Sequence, residues 1–126
     1  MKSIIYTEKA PAPIGPYSQA VQAGNMLFIS GQIPIDPVTN QLVNGSIGDE
    51  ATQVMKNLGA LLAASGFSFE NVVKATIFLS DMNHFADVNE IYGSYFKSDF
   101  PARETVAVLG LPKNVNVEIS VIAVKA

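Results

Sequence analysis

Two spacings of apolar residues divide the chain into helices and strands. Ala51, Val54, Met55, Leu58, Leu61 and Leu62 recur three and four residues apart, the period of one helix face. Gly66 is placed to end that helix, and Ser46 with Asp49 three residues on resembles a capping box, although aspartate is not the preferred partner. A second helix is predicted after Asp81, with Phe85, Val88, Tyr92, Tyr95 and Phe96 as its stripe, closed by Phe100-Pro101. Asn89 falls on this stripe, so its amide is aimed at the core or at an interface, where it needs hydrogen-bond partners.

Strand patterns fill the remainder. Ile4 to Tyr6 reads as a short edge strand, and Ala10 to Pro16, with three prolines, as a rigid extended loop. Tyr17 to Ala23 and Met26 to Ser30 then form a hairpin about Gly24-Asn25, ending at Ser30-Gly31. Prolines, asparagines and glycines make 32–48 a loop or an irregular hairpin. Val72 to Leu79 is apolar on both faces, as a strand covered on both sides would be. Thr105 to Leu109 and Val115 to Lys125 supply the last two strands. In the final one Val117, Ile119, Val121 and Ala123 share a face, and Ile122 and Val124 make half of the other face apolar, which places it centrally. The order implies an α+β fold with two helices on one face of a sheet. The opposite face is apolar with little to cover it, so burial by oligomerisation is expected.

Composition narrows the chemistry. With 126 residues, 48% of them hydrophobic, residues 1–126 are expected to form a single domain with its own core. Eight scattered Lys and Arg against eleven Asp and Glu argue against a nucleic-acid partner. The absence of cysteine excludes disulfides, thiolate catalysis, Cys-based zinc sites and iron–sulfur clusters. No apolar run reaches the ~18 residues that a membrane span needs, and the N-terminus lacks an apolar signal core, so a soluble, unexported, cytoplasmic protein is expected. His84, the one histidine, precedes the second stripe and is expected to be solvated. Without a second histidine, paired carboxylates at ligand spacing or a Gly-rich phosphate loop, the metal, nucleotide and Ser-His-Asp readings lack parts. Cofactor-free chemistry or simple binding remains.

What reactive chemistry there is gathers in 101–126. An arginine can clamp a carboxylate while a glutamate holds a water, so Arg103 and Glu118 would make a site for a small carboxylic acid if they faced one cavity. Alternation puts Arg103 and Thr105 on one strand face, Glu104 on the other, and Glu118 with Asn116 and Ser120. Whether those faces meet depends on strand order, so a strand-end ion pair is the competing reading. Ser30-Gly31 is likewise either a strand stop or a hydroxyl beside free amides able to bind an anion.

The runs PAR at 101–103, LP at 111–112 and VEI at 117–119, with APAPIGPYSQA, FISGQIP and FADVNEIY upstream, resemble the signature of the RidA (YjgF) family along almost the whole chain. That resemblance implies a chorismate-mutase-like subunit with a six-stranded mixed sheet, assembled as a homotrimer with clefts between subunits. It further implies cofactor-free hydrolysis of 2-iminobutanoate and 2-iminopropanoate, products of PLP-dependent dehydratases, to 2-oxo acids and ammonia. Arg103 would bind the substrate carboxylate and Glu118 the attacking water. Tyr17, Ser30 and Gly31 would line the cleft, Asn89 would support it, and Thr105 would contribute its backbone. Two departures stand out: Glu104 replaces a small residue and would compete for Arg103 if the strand end twisted, and Thr105 stands where many members have cysteine. The alternatives are a non-catalytic module that binds 2-oxo acids, and an endoribonuclease, the latter opposed by the acidic charge.

Overall fold

The computed structural model describes residues 1–126. Its centre is a six-stranded mixed sheet in the order β1-β2-β3-β8-β6-β7. The strands are β1 (Lys2–Ile5), β2 (Ala20–Ala23), β3 (Met26–Gln32), β6 (Val72–Leu79), β7 (Ala102–Ala107) and β8 (Val117–Val124), with β4 (Ile35–Asp36) and β5 (Gln41–Leu42) as a separate small ladder. Only β6 and β7 run parallel; every other pair is antiparallel. Helices α1 (Ile47–Ala64) and α2 (Phe85–Gly93) cover one face, and the core lies between them and the sheet.

The α1 stripe is fully buried as its period predicts. Ser46 caps its start by accepting from the Asp49 N–H at 3.1 Å. At the other end Gly66 adopts φ +77°, and the Phe67 N–H bonds the Leu62 carbonyl at 2.8 Å, closing the helix in a Schellman turn. Buried Asn57 projects from α1 to donate to the Ile33 and Ile35 carbonyls, at 3.2 and 3.0 Å, which fixes the loop after β3.

Several boundaries differ from the expected ones. The second helix stops at Gly93, a weak helix former, and the chain leaves through i→i−3 turns in which Tyr95 bonds to Tyr92 and Phe96 to Gly93. Tyr95 and Phe96 instead fold onto Phe69, with ring centroids 5.3 and 5.6 Å away. Residues 17–19 are not strand, because the Gly15-Pro16 bend turns the Tyr17 N–H back to the Gly15 carbonyl. Ser30-Gly31 does not end its strand: β3 continues through a bulge to Gln32. The strand after Pro101 starts earlier than expected, at Ala102, drawn into parallel register with β6, and ends at Ala107. The second face of β6 is half-exposed, with Val73 at 46%.

In β8, Val117, Ile119, Val121 and Ala123 are buried under the helices while Glu118, Ser120, Ile122 and Val124 face the open side. On that side Phe28 pairs with Ile122 and Val21, and Val21 with exposed Ile4, so an apolar band crosses the sheet uncovered. No helix is long and apolar enough to cross a membrane.

Candidate active site

Pairing with β6 sets Arg103 beside Ala75 on the helix-covered face of β7. Its guanidinium carbon lies 5.1 Å from the Tyr92 ring centroid and 5.7 Å from that of Phe85, and its Nη1 donates to Asn89 Oδ1 at 2.5 Å. Asn89 is therefore exposed at a rim rather than buried under α2, and the partner it needed is Arg103. No carboxylate pairs with this arginine. Glu104 points to the opposite face, where it accepts from Thr76 Oγ1 at 2.9 Å and meets Lys74 Nζ at 3.2 Å. These two contacts, the Thr76 hydroxyl first, hold the Glu104 carboxyl below its usual range. Glu104 leaves Arg103 free. Asn89, Tyr92, Phe100, Pro101 and Arg103 line an open cavity of about 370 Å³. The Tyr92 phenol and the hydroxyl of Thr105, two residues along β7 from Arg103, are both buried without a hydrogen-bond partner. Burial raises the Tyr92 pKa, opposed by the Arg103 charge.

Glu118 lies on the other side of the sheet, in a cavity of about 360 Å³ lined with Ile14, Tyr17, Ser30, Gly31, Ile33 and Pro112. Its half-buried carboxyl has no hydrogen-bond or ion-pair partner, and desolvation pushes its pKa up. A side chain at Gly31 would displace this carboxyl, since a Cβ there would lie 2.8 Å from the Glu118 carboxyl carbon. Ser30 lines the same cavity, but its hydroxyl is committed to the Ser18 carbonyl at 2.6 Å, which favours its structural reading. The loop that leads to Tyr17 is held by a clamp that spacing did not reveal. Buried Gln19 accepts from the Thr7 N–H at 2.8 Å and donates to the carbonyls of Thr7, Ala10 and Pro11, at 3.0, 3.2 and 2.9 Å. A glutamine three positions after the proline-rich run was the available signal. Gln19→Leu would strand these groups, and a loss of roughly 2–4 kcal/mol in urea unfolding is expected.

Arg103 and Glu118 thus occupy opposite faces, on strands separated by β6. Within one chain they form neither an ion pair nor a shared cavity. The expected residues separate into an Arg103, Asn89 and Thr105 group and a Tyr17, Ser30, Gly31 and Glu118 group. A further cavity, of about 530 Å³ between Phe69 and the Tyr95–Asp99 turn, contains neither. His84 sits half-buried in the short 3₁₀ turn that leads into α2.

A family model described as endoribonuclease L-PSP matches residues 7–125. The chain is 52% identical to the 2-iminobutanoate/2-iminopropanoate deaminase of Mus musculus over 125 residues, 99% of this chain and 93% of that one. Among solved structures, YyfA of the Rid protein family from Yersinia pestis superposes with a TM-score of 0.96 at 48% identity, covering 99% of this chain and 100% of that chain. TdcF of E. coli with bound serine superposes at 0.94 with 41% identity, covering 98% and 99%. Sequence and fold agree along nearly the whole length, and the chain belongs to the RidA (YjgF) family.

Proposed function

We propose that this protein hydrolyses small 2-imino acids such as 2-iminobutanoate and 2-iminopropanoate to 2-oxo acids and ammonia, in clefts built between copies of the chain. The observation that carries this reading is the pair of unpaired charges: a guanidinium held by Asn89 and two rings with no carboxylate partner, and a desolvated carboxylate with no cation. They lie on opposite faces, so one site using both must take Arg103 from one copy and Glu118 from another. A closed ring of three copies with open sheet faces inward would cover the apolar band as it joined the two halves. The mouse relative's named activity and the serine held by TdcF, a small 2-amino acid, support the substrate class.

In this scheme Arg103 clamps the substrate carboxylate and fixes C2 of the imine, while Glu118 holds a water at that carbon. As the water oxygen adds to C2, Glu118 takes its proton. Glu118 returns that proton to the nitrogen, giving the tetrahedral carbinolamine, and then relays the hydroxyl proton to the same nitrogen, so that the C–N bond breaks as ammonia leaves and the C2 carbonyl forms; one imine and one water give one 2-oxo acid and one ammonia. The imine carbon is already electrophilic, and orientation with proton transfer suffices.

The test is semicarbazide competition during threonine dehydratase turnover: the protein is expected to divert free imine from the trap, and an unchanged trapping rate would reject the deaminase. TdcF with its bound serine favours a second reading, a module that binds amino or oxo acids without turnover; such a module would bind 2-oxobutanoate and leave trapping unchanged. Gly31→Ala offers a finer check. Its methyl group collides with the flexible end of Glu118 rather than with backbone, so activity is expected to fall at least about tenfold while the melting temperature stays near wild type.

A further inference from the structure

The Glu118 carboxyl touches no hydrogen-bonding group of its own chain, so its place depends on where the backbone of β8 begins. Two residues before it, Asn116 has every backbone and side-chain polar group engaged. Its N–H donates to Glu50 Oε1 at 2.9 Å and its Nδ2 to Glu50 Oε2 at 2.6 Å. Its Oδ1 accepts from Ser80 Oγ at 2.7 Å, and its carbonyl accepts from the Ser80 N–H at 3.0 Å. Glu50 is only 2% exposed and sits in the first turn of α1, where the helix dipole favours a negative charge. A buried carboxylate is costly unless fully bonded, and here both oxygens are taken up by one asparagine. Asn116 also lies between Pro112 and Glu118, two walls of one cavity. The intervening 3₁₀ turn is held with Lys113 and Asn114 at positive φ.

The geometry points to Glu50 and Asn116 as a positioning pair that ties α1 to the start of β8 and so sets the location of Glu118 and of the Pro112 wall. Neither residue reaches the cavity, so their effect on catalysis passes through Glu118. The inference concerns the residue to which the deaminase reading assigns the water, and its test also has a readout independent of turnover.

The experiment compares wild type, Ser80→Ala, Asn116→Ala, Glu50→Gln and Glu50→Ala. The readouts are imine hydrolysis and titration of the Glu118 carboxyl by ¹³C NMR. Asn116→Ala is expected to lower kcat about tenfold or more with KM within about twofold, because a small displacement of a catalytic group is costly while carboxylate binding at Arg103 is untouched. Ser80→Ala, which removes only an exposed hydroxyl, should shift kcat the same way by less. Glu50→Gln keeps an acceptor for the Asn116 N–H and should retain more kcat than Glu50→Ala. In the folded variants the Glu118 titration midpoint should move from its wild-type value. If Asn116→Ala does not fold, Ser80→Ala and whichever Glu50 variants fold decide. A Glu118 midpoint and kcat unchanged in every folded variant would overturn the inference. If wild type itself fails to hydrolyse imine, the deaminase reading falls and the titration still decides whether Glu50 and Asn116 position Glu118.

Discussion

Arg103→Ala is expected to lower kcat/KM for imine hydrolysis on the order of 10²–10³-fold, the worth of two charge-assisted hydrogen bonds to a carboxylate. The loss should appear without unfolding, because the guanidinium sits at a cavity rim and pairs with no carboxylate of the fold. Arg103→Lys keeps the charge but loses the planar fork and its contact with the Tyr92 and Phe85 rings, so it should recover only part of the activity. Steady-state kinetics beside circular dichroism separates these outcomes. Full activity in the alanine variant would remove Arg103 from the site.

Glu118→Gln should act on the other parameter. Removing the base is expected to lower kcat by roughly 10²–10⁴-fold while leaving carboxylate binding intact. The pH dependence has a definite sign. Desolvation raises the Glu118 pKa, so the base form appears only above the ordinary glutamate range, and the rate should fall as pH drops through that raised value. For stability, the folded chain binds this proton more tightly than the unfolded one. The contribution of Glu118 therefore favours folding at low pH and is lost as pH rises through the raised pKa. The melting temperature of Glu118→Gln relative to wild type should accordingly increase with pH across the carboxylate range. A difference that is flat with pH would show that the desolvation of Glu118 is offset in the assembly, as by the Arg103 guanidinium of another copy.

Much of this architecture was legible from spacing alone. The α1 stripe, its Ser46 and Gly66 ends and the central β8 strand follow from single-residue periodicity, because one face of each must be buried. Elements ended by tertiary contact were less visible. Tyr95 and Phe96 continue the helical period of α2 but fold onto Phe69 instead, and the loop before Tyr17 is held by the Gln19 side chain, while Tyr17 itself lies outside the strand. Alternation correctly set Glu104 against Arg103, which is why the departure at that position is harmless. It was silent on whether Arg103 and Glu118 share a cavity, since that depends on β6 lying between their strands and on the face each presents. Glu50 was equally hidden: one acidic residue in a helix's first turn looks like a solvated cap, and only the fold brings Asn116, 66 positions away, onto it.

The central claim is that a working site takes Arg103 and Glu118 from different copies, and mixing inactive variants tests it most directly. Arg103→Ala and Glu118→Gln chains, unfolded together in equal amounts and refolded, should regain about a quarter of wild-type activity, because random assembly gives each cleft an intact Arg103 and an intact Glu118 with even odds for each. If refolded mixtures contain mixed assemblies yet remain as inactive as the separate variants, the two residues do not act across a subunit boundary and the account is wrong.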